Sequence, residues 1–385
     1  MSLNYKTKVE ISDPIHIYYS VEANNLDTTG TKAPVVFDIN ENRQNPFLGC
    51  PQNYNMSIIK FGLNGTKSLP VFIPVIEDPS VDVDKTIYKI GIYTNSSSFT
   101  ILSVDWVPQL DNTLWVPPQL QPTQSLSDYY FCYDYDHFLN LINARLAQAY
   151  NTQNGSLNGV PYFELDADTF NINLYYSTSI YNGTYLITMN EAMWNLFSTF
   201  NHEIIPSPAP GISRQYYLRP TPSPIPINPE YTYVAVGPTN VPYYKYVSKN
   251  TPLVMWNPIK NIVFTSSTLP VVGTNITQKN FYADSNALIG AGNAAIANIV
   301  TSFTATINAN NSFKQQLIYL PTAEFRCISM TGTNPLSNLQ ISIFWTDIYN
   351  NVRPFYLNSS CSVNFEILFR RVDYNIPTET MLLMK

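Results

Sequence analysis

Catalysis in this chain would have to come from three histidines and a few carboxylate pairs. His202-Glu203 begins the pattern of a zinc-protease helix, in which two histidines one turn apart hold the metal. The second histidine position is Pro206, which also breaks the helix that the pattern needs. His202 therefore reads as a polar residue leaving a helix end. His137 stands beside Asp134 and Asp136, which could orient it for acid–base work. Its place in the first turn of a helix disfavours the protonated form, and a surface role is the expectation. His16 falls in a strand opposite Ile15 and Ile17 and suggests no role.

Glu164, Asp166 and Asp168 form the densest carboxylate group. The calcium-loop spacing fails there, because Asn171 replaces the glycine and Ser177 the bidentate glutamate. Asp82 and Asp84 form a similar pair, and both groups read as solvated turns. Gly290-Ala291-Gly292-Asn293-Ala294-Ala295 fits a degenerate dinucleotide fingerprint, but no hydrophobic strand leads into it. A carboxylate hydrolase needs two acids about 5–10 Å apart across a cleft, and no such pair is named by the sequence. The expectation is no enzyme, with no catalytic residues, no cofactor and no metal. Cys50, Cys132, Cys327 and Cys361 lack zinc-ligand spacing. They read as reduced, buried thiols, although a Cys327–Cys361 bridge between strands stays open.

The 385 residues carry a net charge of −6 and only 12% charged side chains. A nucleic-acid binder shows a basic excess or face, and none is present. No apolar run reaches membrane-span length, and Met1–Pro14 lacks the apolar region of a signal peptide. With 28 Tyr, 20 Phe and 29 Pro, the composition is rich in strands and loops. Low charge with many aromatics suits a chain that buries large faces against copies or partners.

Strands are expected over Pro14–Val21, Met56–Leu63, Thr86–Thr94 and Phe99–Asp105, the last two forming a hairpin. Leu69–Ile76 holds Pro70 and Pro74 and reads as an edge or irregular strand. Residues 107–128 read as a linker or extended arm. A helix is expected over Asp136–Tyr150, capped by Asp136, with Phe138, Leu139, Ile142, Leu146 and Ala149 on one face. Strands near Pro161–Leu165, Phe170–Tyr176 and Thr184–Met189 follow, then a short helix capped by Asn190. The prolines of residues 206–229 argue for extended surface chain and against a central strand. Tyr231–Val247 reads as strand, turn, strand. The last third returns to strands at Asn261–Thr265, Gln316–Leu320, Leu339–Thr346 and Ser362–Arg371, with a marginal Ala-rich helix over Ser285–Val300. Strands on both sides of an interrupted block predict a mainly β fold: a single jelly-roll β-sandwich with a large α+β insertion domain.

Several stretches, in order, carry a resemblance. They are Asn45-Pro46-Phe47 through Leu63, Leu69–Ile76, the helix with Phe138, Ile142-Asn143 and Ala149, and Met189-Asn190 leading to Leu196-Phe197 and Phe200. The C-terminal set is Tyr319-Leu320-Pro321, Glu324-Phe325-Arg326, Asn334-Pro335-Leu336, Ile343–Asp347 and Phe365–Arg371. This ordered set resembles penton and minor capsid proteins of the virophage, Polinton (Maverick) and adintovirus group of double-stranded DNA viruses. Two features depart from the pattern: Thr301-Ser302-Phe303 where Thr-Asp-Phe is expected, and the long proline-rich block.

The resemblance implies a virion protein that closes the five-fold vertices of an icosahedral capsid as a homopentamer, beside the major capsid protein. It implies a jelly roll in two halves, 1–106 and 251–385, flanking a projecting insertion at 107–250. That projection would meet a spike or a host-surface receptor. There is no Arg-Gly-Asp, and the subunit-interface residues are unknown from sequence. The other reading carried forward is a jelly-roll attachment protein of the virion surface that binds carbohydrate through its aromatics.

Overall fold

The computed structural model describes residues 14–25, 35–65, 68–78, 80–95, 98–109, 128–181, 184–206, 214–218, 231–234, 243–271, 298–304, 316–319, 327–348, 352–359 and 361–372. The chain opens with β1 (His16–Asn24), β2 (Val35–Val36), β3 (Asp38–Asn42) and β4 (Tyr54–Asn64). The middle holds β5 (Lys85–Asn95), β6 (Ser98–Asp105), α1 (Tyr135–Asn154), β7 (Tyr162–Leu165), β8 (Ile172–Ser177) and α2 (Thr178–Tyr181). It continues with β9 (Leu186–Met189), α3 (Glu191–Leu196), β10 (His202–Pro206), β11 (Arg214–Leu218), β12 (Tyr231–Val234), β13 (Tyr243–Val247) and α4 (Leu253–Trp256). The last part holds β14 (Ile259–Ser266), β15 (Asn298–Thr304), β16 (Gln316–Tyr319), β17 (Ile328–Ser329) and β18 (Asn338–Asp347). It ends in β19 (Val352–Pro354), β20 (Tyr356–Leu357) and β21 (Ser362–Arg371).

The first and last parts build one β-sandwich. One sheet runs β1-β21-β4-β16, and the other runs β15-β14-β18 with β3 and β19 sharing the far side of β18. β1, β3, β4 and β14 alternate between the sheets, β15 stays beside β14, and β16, β18 and β21 alternate back to pair with the start of the chain, which is jelly-roll wiring. The inward residues follow period two: Ile17, Tyr19 and Val21 on β1, and Val363, Phe365, Ile367 and Phe369 on β21. Rings from the two sheets meet in the middle, with Phe61 5.4 Å from Phe264 and Phe264 5.7 Å from Phe365.

A second core lies between β4 and β14 in the chain. Its sheets run β10-β11-β9-β5-β6 and β12-β13-β8-β7. Helix α1 buries Phe138, Leu139, Ile142, Leu146 and Ala149 in this core, the stripe read from its sequence. The helix also covers two sheet edges. Asn143 exchanges two 2.8 Å hydrogen bonds with the backbone of Phe163 on β7. Gln153 bonds Ser98 and Thr100 on β6, and Arg145 pairs with Asp105.

Four expectations change. The β5–β6 hairpin was expected in the first jelly-roll half. Instead β5 pairs with β9, and Ile90 and Ile92 fill the second core. Gly91 lets β5 and β6 approach closely, since a Cβ there would overlap the Thr100 carbonyl of β6. Helix α1 is capped two residues earlier than expected: Asp134 is extended and accepts from the Asp136 amide at 2.9 Å, and Gly155 ends the helix with φ 68°. The proline block contains an inner strand after all. β11 sits between β10 and β9, because its five residues are free of proline, and Gln215–Leu218 are buried. None of the four cysteines forms a disulfide, and only Cys132 and Cys361 are buried.

Asn190 caps α3 as expected, accepting from Met193 while also bonding the backbone of Ile87 and Lys89 on β5. Most of residues 107–128, the fingerprint at 290–295 and the marginal helix up to residue 297 lie outside the described residues; Asn298–Val300 begin β15.

Candidate functional site

The candidate chemistry disperses in three dimensions. Asp166 is a turn former: its carboxylate accepts from the amides of Asp168 and Thr169, each at 3.0 Å, and stands 3.7 Å from Lys245. Those amide bonds hold its pKa below the usual carboxylate range. Asp82 accepts from the Asp84 amide, and Asp84 accepts from the Tyr129 hydroxyl at 2.8 Å. Among the described residues no group of three metal-ligating side chains converges. His202 begins strand β10 rather than leaving a helix, and its ring lies 3.8 Å from Trp194. His16 is exposed on β1.

His137 is half-buried rather than a surface residue. Its Nε2 is 2.7 Å from the Val107 carbonyl, and its ring meets the edge of Trp106 at 5.3 Å. Burial lowers its pKa, against smaller raising effects of the Val107 bond and Asp134. It pins the chain just after β6 to the start of α1.

What the fold does bring together is the seam between the two cores. Two straps form it. Residues 68–76 leave β4, and residues 128–134 lead into α1. They join at Phe72 and Cys132, whose backbones exchange bonds of 3.2 and 2.9 Å. Pro70 and Pro74 lack the N–H that a continuing ladder needs, which keeps the pairing to a single bridge. The second strap opens in a 3-10 turn at Asp128–Tyr130, with Tyr129 also in the second core, and is extended over residues 131–134, where successive side chains point to opposite sides. Tyr130, Cys132 and Tyr135 enter the second core. Phe131 and Tyr133 enter the sandwich core. Leu69 and Ile73 of the first strap pack on the sandwich, while Val71, Phe72 and Ile76 fill the other side. Each fully buried aromatic of this kind contributes roughly 1.5–3 kcal/mol. The seam is therefore held by both cores at once.

Below Phe131 lies a buried ion pair. Arg353 Nε is 3.2 Å from Asp347 Oδ2, and the two side chains are only 3% and 2% exposed. The guanidinium packs 5.2 Å from the Phe131 ring and 5.4 Å from Trp345. Arg353 and Trp345 are register partners on β19 and β18, so the sandwich edge itself presents this face to the strap. On the other side, Trp256 of α4 donates to the Leu196 carbonyl at 2.9 Å and meets Phe72 at 5.2 Å. It closes the return crossing. Burial pushes the Cys132 thiol up to about 12 at the middle of the seam.

The seam ties a jelly roll to a second β-rich body, and this arrangement can be compared with known proteins. The sequence profile of the Sputnik minor capsid protein V18/19 family matches residues 17–371. The chain belongs to this family. A V18/19-family protein is a structural component of the virion. Over 156 residues, 39% of this chain and 91% of the relative, it is 26% identical to protein V18 of Sputnik virophage. A chain in the cryo-EM structure of Sputnik virophage is similar in fold, with TM-score 0.73 and 21% identity over 95% of this chain and 100% of that one. The mavirus penton protein is also similar, with TM-score 0.60 and 17% identity over 93% and 99%. Minor capsid protein is thus the family's role, the likeness to the penton protein is one of fold, and the carbohydrate-binding reading is not favoured.

Sequence reasoning passed over the seam residues. The run Tyr129-Tyr130-Phe131-Cys132-Tyr133 has apolar side chains at every position, the signature of a strand buried on both faces. That signal was available. Nothing in the sequence marks Asp347 and Arg353 as partners.

Two outcomes follow. Arg353→Met removes a buried cation paired with Asp347 and lowers unfolding stability by about 3–5 kcal/mol. The double variant Arg353→Met/Asp347→Leu recovers most of that loss in denaturant titration. His137 has a lowered folded-state pKa, so the unfolded chain takes up its proton first as pH falls. Its contribution is complete above the ordinary value of 6.5 and declines on acidification through that value. His137→Gln therefore flattens the loss of thermal stability between about pH 7 and pH 5.

Proposed function

We propose that five copies of this chain close into a ring at each five-fold vertex of an icosahedral capsid. The match of the minor capsid family over residues 17–371 carries this reading, together with the likeness in fold to a penton protein. A ring is a heterologous interface that closes on itself, and it needs large, weakly charged faces. A chain with 12% charged and 14% aromatic residues supplies them. In this reading the jelly roll forms the vertex wall beside the major capsid protein. The body that holds the second core, redrawn to about residues 68–258, is the insertion and projects outward. The seam fixes the angle of that projection, and its outer end is the part that would meet a spike or host receptor.

Light scattering on the purified chain, with negative-stain images of the peak, tests this. The expected species has about five times the mass of the 43.6 kDa chain and appears as five-fold rings. A stable trimer would contradict the vertex role and move the chain to another capsid position. In labelled virions, antibody to the second body reaches its epitope from outside; an epitope hidden until the particle is opened would contradict the projection.

A further inference from the structure

Two sheet edges of the second body are covered, those of β7 and β6, whereas among the described residues no strand lies beside the outer edge of β1. Asn143 binds the backbone of β7, and Gln153 and Arg145 hold β6. By contrast β1 is the last strand of its sheet among the described residues. It pairs with β21 over nine residues, His16–Asn24, without a bulge. It carries no proline, no lysine and no break in register. Tyr18 on its outer face is 59% exposed.

The hydrogen-bonding parity of β1 is set at its ends. Ile15 accepts from the Arg371 amide, and the Asn25 amide donates to Cys361. Odd-numbered residues thus bond β21, and the backbone groups of Tyr18, Ser20 and Glu22 point away from the sheet. Pro14 leads in another direction, since its carbonyl accepts from Tyr54 on β4, two strands away.

We propose that the outer edge of β1 accepts residues 6–12 of a neighbouring copy as an added antiparallel strand. This rests on the ring reading, in which a neighbour is always present. The segment Lys6-Thr7-Lys8-Val9-Glu10-Ile11-Ser12 alternates with period two. One register satisfies both faces. Thr7, Val9 and Ile11 lie opposite Val21, Tyr19 and Ile17 on the core side, while Lys6 lies opposite Glu22 and Lys8 opposite Ser20. Glu22 is the one acidic residue of β1, and the incoming strand brings a lysine to it. Strand addition of this kind supplies affinity through main-chain bonds and specificity through alternate side chains.

Paired cysteines test the register. Directly opposed residues of a hydrogen-bonded pair have Cα atoms about 5.5 Å apart, within disulfide reach. Lys8→Cys/Ser20→Cys is made with Cys50→Ser and Cys327→Ser, and the purified rings are oxidised. The expected result is a non-reducing gel ladder of covalent multimers up to five copies. Adding Glu22→Pro removes one outward N–H and leaves the β21 ladder intact, and the ladder of multimers then disappears. A disulfide confined to single chains, rings that give no ladder, or a ladder that survives Glu22→Pro would each overturn the proposal. Absence of rings in the unmodified chain would overturn the ring reading and this one with it.

Discussion

The strap at residues 128–134 has no core of its own. From Tyr130 to Tyr133 its side chains alternate between two cores that are otherwise built from different parts of the chain: Tyr130 and Cys132 on one side, Phe131 and Tyr133 on the other. An extended backbone imposes that alternation. Because neither set of side chains can leave without opening its core, the jelly roll and the second body are held at one relative angle. The Arg353–Asp347 pair adds direction to this, since a guanidinium between Phe131 and Trp345 fits one approach of the strap. Buried ion pairs are weak sources of stability but strict about geometry. A protein that must carry a second body at a fixed position on a shell has use for such strictness.

Much of the sandwich was legible from its sequence. β1, β4, β18 and β21 show alternation of core and outer residues, β14 is buried from Ile262 to Ser266, and each was placed within a few residues of its bounds. Helix α1 announced itself by its apolar stripe. Boundaries between bodies were less legible. The β5–β6 hairpin follows the sandwich strands in the chain and looks the same locally, yet it pairs with β9, almost a hundred residues on. Local pattern sets whether a segment is a strand, whereas partner choice depends on contacts distant in sequence. β11 was hidden for a different reason: the surrounding prolines dominated the composition, although its own five residues contain none.

Function was legible only through the ordered set of family-like segments. Residue chemistry by itself pointed to no reaction, and the fold scatters the carboxylates into turns that cap their own backbone. The seam shows what the aromatic excess is for. Rings at Phe72, Phe131, Tyr133, Trp256 and Trp345 join bodies within one chain, by the same physics that joins chains across an interface. Interior and assembly demands therefore draw on one composition, which is why composition did not separate them.

Cys132 gives the most direct access to the central claim that the seam opens only when the cores do. Its thiol is buried at the strap bridge, bonded to the Asp134 carbonyl at 3.0 Å, with its pKa pushed up to about 12. Alkylation of Cys132, followed by peptide mass spectrometry across a urea series, reports each opening of the seam. The account predicts that Cys132 labels with the same urea dependence as loss of near-ultraviolet circular dichroism from both cores. Labelling in the absence of urea, with both cores still folded, would show a seam that opens on its own and would contradict the account.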